Sequence, residues 1–199
     1  FNKPIYIGAT VLELSKLLMY EFYYEVLQPY FGEKNIELLY LDTDSFVLNL
    51  TTNDLNKDLN ELKDYFDFSN YPRDHPLYDT TKKKVPGYFK DELAGEEMTE
   101  FIALRSKMYA YKMKAIESSR PSVLTPEVSK AIVTESESKK LKGISKNVVK
   151  RDITFDDYVD CLEKSKSFNH KMRHLISEKH QIYLEEVDKK SLSPFDDKR

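Results

Sequence analysis

The most informative part of the sequence is Leu38-Leu39-Tyr40-Leu41-Asp42-Thr43-Asp44-Ser45-Phe46-Val47-Leu48. Its two ends are apolar and each has the length of a β-strand, while the polar residues between them are few enough to close a hairpin. The sequence therefore predicts a β-hairpin that carries two carboxylates, those of Asp42 and Asp44, at its tip.

Those two carboxylates have a chemical and a structural interpretation. Placed two residues apart, they can converge on a hard cation such as Mg²⁺, which prefers oxygen ligands and keeps waters or substrate phosphates in its shell. A site of this kind points to phosphoryl transfer. Alternatively, they supply only turn chemistry, because Asp and Ser side chains hydrogen-bond to nearby backbone. An EF-hand calcium loop is excluded, since it requires an oxygen ligand and a glycine where this chain has Phe46 and Val47.

The composition limits the class of protein. At 199 residues, 40% of them hydrophobic and 33% charged, the chain can bury a core and is typical of a globular protein with one domain and a smaller appendage. No apolar run is long enough to span a bilayer, so no membrane partner is expected. The single cysteine, Cys161, excludes an internal disulfide and indicates a reducing compartment, the nucleus or cytoplasm. Because the chain begins at Phe1 without an initiator methionine, we interpret it as a fragment.

Basic residues are concentrated in two places although the net charge is only −3. Lys82, Lys83 and Lys84 form one cluster, and the block from Lys139 to Arg151 holds six basic residues and no acidic one. Such stretches can follow the phosphate backbone of a nucleic acid. A solvated lysine-rich face is the alternative, and charge alone does not decide between them.

The remaining pattern predicts helices and strands around the hairpin. In chain order these are a strand at Ile5–Ile7, a long buried helix from Thr10 to Tyr30 that ends before Gly32, an amphipathic helix from Asn53 to Phe66 with Asn53 or Asp54 at its start, strands within Gly87–Leu93 and Met98–Met113, a helix from Phe155 to Lys164 capped by Thr154, and a strand at Gln181–Val187. We expect the strands after the hairpin to extend its sheet. The aromatic residues of the first helix are predicted to be core, namely Tyr20, Phe22, Tyr23, Tyr24 and Tyr30.

A zinc site near the C-terminus is a weaker hypothesis. His170 and His174 are four residues apart and would share a helical face, with His180 and Cys161 nearby in sequence. No CxxC motif accompanies them, and histidines in a basic, polar stretch are more often exposed or phosphate-facing. The motif therefore gives zinc little support.

Two ordered motifs make the chain similar to a known family. Tyr40-Leu41-Asp42-Thr43-Asp44-Ser45 matches the YxDTDS palm signature of family B DNA polymerases, and Lys107-Met108-Tyr109 matches their KxY motif downstream. The chain resembles the C-terminal part of these enzymes, especially the protein-primed branch found in self-synthesising transposons and related viruses. Further segments look like that branch: Lys3-Pro4-Ile5, Gly87–Glu92, Lys142-Gly143-Ile144 and Leu192–Arg199.

The resemblance implies roles for the motif residues in nucleotidyl transfer. Joining a 3′-hydroxyl to a nucleoside triphosphate is an in-line displacement that two metal ions, here Mg²⁺, stabilise at the entering and leaving oxygens. Asp44 and Asp42 are the implied catalytic and metal-binding residues, Asp44 as a direct ligand and Asp42 as a tuning or outer contact. Further implied roles are hairpin shaping by Tyr40, Thr43 and Ser45, and DNA binding by Lys107 and Tyr109 at the primer strand and by Lys142, Lys146 and Lys150.

The implied partners are primer-template DNA and deoxynucleoside triphosphates, and the protein-primed branch leaves a protein primer open as a further partner. The chain also departs from the family pattern. A DxxSLYP-like segment with the second metal-binding aspartate, and a KxxxNSxYG-like helix that binds the triphosphate, do not occur in it. The isolated chain is therefore expected to be inactive. The alternative function is that of a non-catalytic, nucleic-acid-binding remnant of a mobile element.

The predicted architecture is α+β. An antiparallel palm sheet with packed helices occupies residues 1–125, and it contains the hairpin and the KxY strand. A smaller, thumb-like DNA-binding subdomain occupies residues 126–199. Lys107 and Tyr109, two apart on a predicted strand, are expected to share one face of the sheet.

Overall fold

The structure, a computed structural model, describes residues 3–114 and 136–195. Helices and antiparallel sheets are both present, which confirms the predicted α+β class. The chain divides into two compact units, Phe1–Ala94 and Gly95–Arg199. Among the described residues, no helix has the length and apolar character that crossing a membrane requires.

The first unit opens with one continuous helical run. It consists of α1 (Ile5–Glu21), a π-helical segment (Phe22–Leu27) and α2 (Gln28–Phe31). The strand predicted at Ile5–Ile7 is wrong, because three apolar residues are too few to separate a strand from the first turn of a helix. Thr10 lies inside α1 rather than at its cap, and its hydroxyl donates to the Tyr6 carbonyl oxygen at 2.9 Å. The predicted end is confirmed, since Gly32 follows α2 with a φ of +83°.

Burial along this run differs from the prediction of a buried helix. Of the α1 residues only Met19 is buried, and Leu12 remains 59% exposed. The core instead begins at the π-helical segment, where Phe22 and Tyr23 are buried among residues of the hairpin, while Tyr24 is exposed. The helical spacing of the apolar residues predicted the helix correctly. Which of its turns are buried depends on the elements that pack against them.

The hairpin itself forms as predicted. Strands β1 (Ile36–Asp42) and β2 (Ser45–Leu50) pair antiparallel in a two-stranded sheet. The next helix, α3 (Leu55–Glu61), is shorter than the predicted range and continues into a 3₁₀ turn at Lys63–Tyr65. Its start at Asp54 is confirmed, because the Asp54 carboxylate accepts a hydrogen bond from the Lys57 backbone N–H at 3.1 Å.

The segment from Gly87 to Leu93 is not the predicted strand. It makes a single parallel bridge, Phe89 to Phe66, and the Phe89 ring stacks on Phe22 with centroids 4.0 Å apart. The rest of this segment is held by hydrogen bonds of polar side chains instead of by a strand ladder. The Tyr71 hydroxyl donates to the Asp91 carboxylate at 2.7 Å. Local side-chain hydrogen bonds of this kind compete with regular strand pairing.

An ion pair between a buried carboxylate and a partly exposed lysine also holds this segment. The Lys90 ammonium lies 2.9 Å from the Asp67 carboxylate, whose side chain is only 6% exposed. Burial opposes ionisation of Asp67, but Lys90 and the Ser69 backbone N–H, which donates to Asp67 at 2.8 Å, outweigh it and lower the pKa of Asp67 to about 2. The pair therefore contributes stability that is present above the ordinary carboxyl pKa of about 4 and is lost as the pH falls through about 2.

Replacing Lys90 by methionine is expected to destabilise the first unit by roughly 1 to 3 kcal/mol at pH 7, because it leaves the Asp67 carboxylate buried without its cation. The loss should shrink at pH 3, where that carboxyl can take up a proton. Urea unfolding at the two pH values measures both quantities. Lys57→Met is the matched control, since the Lys57–Glu61 pair is exposed and spans 3.9 Å. An equal loss for Lys90→Met at both pH values would contradict the ion-pair explanation.

In its described residues, the second unit contains two sheets. The first has the strand order β3 (Met98–Arg105), β4 (Met108–Met113) and β5 (Ser136–Leu141), all antiparallel. The second is the hairpin of β6 (Phe168–Glu178) and β7 (Gln181–Leu192), which includes and lengthens the strand predicted at Gln181–Val187. Helices α4 (Lys146–Asp152) and α5 (Phe155–Glu163) lie between these sheets in sequence.

The prediction that the later strands extend the hairpin's sheet is wrong. In the described residues β1 pairs with β2, and β4 pairs with β3 and β5, so the ladders belong to separate sheets. Alternation in the sequence shows that a segment is a strand but does not show which strand it pairs with. The predicted division between residues 125 and 126, and the boundary segment Ser118–Pro126, lie outside the described residues. The proposed division therefore stays a prediction.

The core of the second unit is formed where α5 packs on the three-stranded sheet. Tyr158 and Cys161 are fully buried, and the Tyr158 hydroxyl donates to the Lys140 carbonyl oxygen at 3.0 Å. Burial raises the pKa of the Cys161 thiol. The predicted cap is confirmed as a capping box, in which Thr154 and Asp157 bond to each other's backbone N–H.

Candidate metal hairpin and nucleic-acid interface

The tip of the hairpin is a very tight turn. The Asp44 backbone N–H donates to the Asp42 carbonyl oxygen at 2.6 Å, and Thr43 between them has a φ of +58°. The Thr43 hydroxyl donates to Asp42 Oδ1 at 3.2 Å, and the Ser45 hydroxyl donates to the Asp42 carbonyl oxygen at 3.3 Å. Thr43 and Ser45 thus both hydrogen-bond to Asp42 at the turn, and their shaping role stays a prediction.

A β-bulge determines which way Asp42 faces. Leu38 pairs with Leu48 but Tyr40 pairs with Val47, so β1 contains one residue more than β2 over this interval. Direct partners in an antiparallel ladder lie on the same side of the sheet. Beyond the bulge, the pair Leu41 and Phe46 therefore shares the helix-facing side, where Phe46 packs in the core.

The same strand register determines which residues lie on the opposite side of the hairpin. Tyr40 with Val47, and Asp42 with Ser45, lie on the side away from the core. Tyr40 reaches this side only because the bulge absorbs one residue. Sequence reasoning missed the bulge; the run Leu38-Leu39-Tyr40-Leu41, which does not alternate, was the available signal.

Thr43 is a strained residue at the site. A β-branched residue with positive φ is a rare conformation, and a two-residue hydrogen bond across such a residue is the strained form of the γ-turn. Strain of this kind is retained where the position of neighbouring groups matters. Here the neighbouring groups are the two carboxylates that the sequence assigned to metal binding.

Replacing Thr43 by glycine is expected to stabilise the first unit by up to about 1 kcal/mol, because glycine adopts positive φ without a steric cost and this gain exceeds its larger entropy in the unfolded chain. Urea unfolding measures the change. Thr43→Val is the control, since it keeps the branched side chain and removes the hydroxyl, and it should not stabilise the unit. Glycine and valine variants of equal stability would show that Thr43 is not strained.

The donors at the tip fit part of a hard-cation shell. Asp42 is half-buried and Asp44 is exposed, and carboxylate oxygens are the ligands that Mg²⁺ prefers. In the described part of the chain, no three His, Cys, Asp or Glu side chains come together as a metal-binding group. The hairpin therefore offers two carboxylates of a shell that other groups would complete.

The predicted KxY residues take different positions. Tyr109 lies on β4, but Lys107 lies in the turn between β3 and β4 with a φ of +59°. The expectation that both share a strand face is wrong, because the β3–β4 connection needs Lys107 as a turn residue. Its carbonyl oxygen accepts a hydrogen bond from the Lys142 backbone N–H at 3.0 Å, so the structure brings these two predicted DNA-binding residues together.

The basic block divides into structural and exposed members. Lys139 is mostly buried, and its ammonium donates to the Ile153 carbonyl oxygen at 2.6 Å. By contrast, Lys142, Lys146 and Lys150 are exposed, and the last two lie four residues apart on α4, on one face of that helix. We call these three exposed lysines, Lys142, Lys146 and Lys150, the basic surface.

The histidine cluster proposed for zinc does not form a helical face. His170 and His174 lie on strand β6, and His170 Nδ1 is 2.7 Å from the Ser191 hydroxyl oxygen. The helical prediction was wrong because a polar stretch that lacks strict alternation gives little signal for a strand. His170 forms a hydrogen bond with Ser191 between the two strands of this hairpin.

Two aromatic residues near Tyr109 were missed from the sequence. Phe101 on β3 and Tyr111 on β4 are direct partners across the strands. The ring centroids of Phe101 and Tyr109 are 5.9 Å apart, and those of Tyr109 and Tyr111 are 6.4 Å apart. Only the strand register brings these rings together. The alternation of Tyr109 and Tyr111 with Ala110 and Lys112 was visible in the sequence.

Comparison of the chain with family models, with curated proteins and with solved structures finds no match. The assignment of function therefore depends on the residues of the chain itself. Of the predicted site residues, the hairpin group lies in the first unit, and Lys107, Tyr109 and the basic surface lie in the second.

Proposed function

We propose that this chain is part of a DNA-directed DNA polymerase of family B, in which the hairpin holds catalytic Mg²⁺ and the second unit holds DNA. The observation that carries the proposal is the arrangement of the tip. Asp42 faces away from the core and Asp44 is exposed on a tight, strained turn, as a site that coordinates a metal on a substrate requires.

The chemistry of the proposed reaction assigns a task to each group at the hairpin. Mg²⁺, when bound, supplies charge stabilisation at the attacking 3′-hydroxyl oxygen and at the leaving pyrophosphate. Asp44 contributes a direct carboxylate ligand, and Asp42 a second or outer one. The Thr43 hydroxyl, which donates to Asp42, fixes the orientation of that carboxylate, in the way that second-shell hydrogen bonds orient ligands.

The second unit supplies phosphate contacts in this proposal. The exposed ammonium groups of Lys142, Lys146 and Lys150 can neutralise phosphates of primer-template DNA without reading its sequence. Lys107 and Tyr109 contact the primer strand, with Lys107 acting from the turn beside Lys142. Binding should therefore tolerate any sequence and weaken steeply as salt is added.

The DNA immediately upstream of the Phe1 codon tests the polymerase assignment. An open frame that encodes a second aspartate segment and a triphosphate-binding helix would support it. Stop codons or frameshifts there would contradict it and would favour a nucleic-acid-binding remnant of a mobile element. A biochemical test is also available, because the isolated chain should not extend a primer with Mg²⁺. Extension that is lost on Asp44→Ala would contradict the proposed need for further residues.

A further inference from the structure

One face of the hairpin of β6 and β7 is exposed over four successive cross-strand pairs. Met172 on β6 is 3% exposed and packs in the core of the second unit, so its side of the hairpin faces that core. Successive side chains of a strand alternate between faces, and direct cross-strand partners share a face. The opposite side, which we call the outer face, consists of the pairs Lys171 with Asp188, Arg173 with Glu186, Leu175 with Leu184, and Ser177 with Ile182.

The end of the outer face near the turn is apolar. Leu175, Ile182 and Leu184 lie next to one another on the two strands and are 76%, 73% and 63% exposed. A single exposed apolar residue is ordinary on a protein surface, whereas neighbouring ones form a patch of the kind that marks an interaction surface. The turn that follows, Lys179 and His180, is polar. A partner of this patch therefore lies along the hairpin rather than beyond its tip.

The other end of the outer face carries charges that are separated by strand. Both cations, Lys171 and Arg173, are on β6, and both anions, Glu186 and Asp188, are on β7. Arg173 Nε lies 3.4 Å from Glu186 Oε2 within the hairpin, but these side chains stay 70% and 53% exposed and can also meet the charges of a partner. The outer face therefore has a positive edge, a negative edge and no net charge.

We propose that the outer face binds a second copy of this chain, with the two hairpins packed face to face. A two-fold axis along the strands places β6 of each copy over β7 of the other at the same level, so Arg173 meets Glu186 of the second copy. The neighbouring charged pair meets its counterpart in the same way, and the leucine pair Leu175 and Leu184 covers the same pair of the second copy. Every charge of the outer face thus gains an opposite charge. A uniformly negative partner such as DNA would instead be repelled by the acidic edge.

The small size of the outer face predicts a weak dimer. Its four pairs supply fewer residues than the roughly 20 to 30 on each side of a standard interface, so we expect a dissociation constant in the micromolar range or above. The core of each second unit lies on the other side of its hairpin, behind Met172, and leaves the outer face open to the second copy. The inference goes beyond the polymerase proposal and does not depend on it, because only the residues of this hairpin carry it.

Sedimentation equilibrium of the full chain, from about 10 μM to about 1 mM, tests the proposal. The wild-type chain should show a monomer–dimer equilibrium, and a chain that stays monomeric at the highest concentration would overturn it. Arg173→Glu and Glu186→Arg should each weaken the dimer by about tenfold or more, because each sets like charges against each other in both halves of the symmetric contact. Lys57→Glu is the matched control for Arg173→Glu, since it makes the same charge change and breaks an exposed ion pair of the first unit. It should keep the dissociation constant within about twofold of wild type.

A mixture of the two charge variants shows whether the partner is a second copy in this arrangement. In a mixed dimer of the Arg173→Glu and Glu186→Arg chains, position 173 of each copy again faces an opposite charge at position 186 of the other. The mixture should therefore associate within about fivefold of the wild-type strength, although each variant alone does not. Single variants that associate like wild type would place the contact elsewhere on the chain. Single variants that mixing does not rescue would show impaired folding or another arrangement, and either result would overturn the proposal.

Discussion

Replacing Asp44 by asparagine should lower Mg²⁺-dependent primer extension by about 10³-fold or more in a longer chain that joins this sequence to the second aspartate segment. The expected loss follows from removing one charged ligand of a metal that stabilises the transition state by several kcal/mol. Asp42→Asn should cost less, about 10- to 100-fold, if Asp42 acts as an outer contact. Single-turnover extension with saturating DNA measures both variants.

Glu37 provides the matched control for Asp44. It lies on the same hairpin and is exposed, and its carboxylate accepts a hydrogen bond from the Asn49 amide at 3.4 Å, away from the tip. Glu37→Gln removes the same charge from the same hairpin, and extension should stay within about twofold of wild type because a distant exposed charge is screened by solvent. Equal losses for Glu37→Gln and Asp44→Asn, with the fold retained, would show that Asp44 holds no metal.

Replacing Lys142, Lys146 and Lys150 together by glutamine should weaken duplex DNA binding and flatten its salt dependence. Each phosphate contact contributes about 0.9 to the slope of log affinity against log salt, so three lost contacts should reduce the slope by about 2.7. The effect should not depend on the DNA sequence, because phosphates carry no sequence information. Anisotropy titrations from low to physiological salt give the slope.

A second triple variant separates contact from net charge. Lys16, Lys34 and Lys57 are exposed lysines of the first unit, and changing all three to glutamine alters the net charge by the same amount. Their removal should leave the slope within about 0.5 of the wild-type value. If both triple variants flatten the slope equally, the basic surface of Lys142, Lys146 and Lys150 is not the binding site.

Local sequence signals predicted the parts of the fold that local physics determines. The hairpin tip, the cap at Asp54 and the capping box at Thr154 depend on residues within a few positions of each other, and the structure confirms all three. The fold class was also predictable, because strand-like and helix-like periodicities both occur and no apolar stretch dominates.

What the sequence could not predict depends on partners distant in the chain. The exposure of most of α1 follows from what packs against it, and a helical pattern carries no information on this. The pairing of β4 with β5 requires a register across 22 residues between Met113 and Ser136. Lys107 was assigned to a strand because its neighbours alternate, although the chain reverses at that residue.

The candidate site was partly visible for the same reason. Asp42, Asp44 and the exposed lysines of α4 were identified from residue type and spacing. The aromatic neighbours of Tyr109 were not, since Phe101 and Tyr111 are ten positions apart and become neighbours only through the ladder. Spacing within a few positions identifies the aspartates and the lysines, whereas only the strand register brings the aromatic residues together.

Because of the bulge beside Leu39, β1 can lose one residue at that position without a change in the strand pairing beyond it. A gene that had lost the Leu39 codon would encode a regular ladder, with Leu38 opposite Leu48 and Tyr40 opposite Val47 as before. Asp42 would keep its orientation, so such a deletion could pass selection on the proposed metal site. A one-codon deletion in β2 would have no spare residue to absorb it and would shift the pairing of every residue beyond it. Divergent genes of this lineage are therefore expected to vary in length on the β1 side of the acidic turn and to keep a constant length on the β2 side.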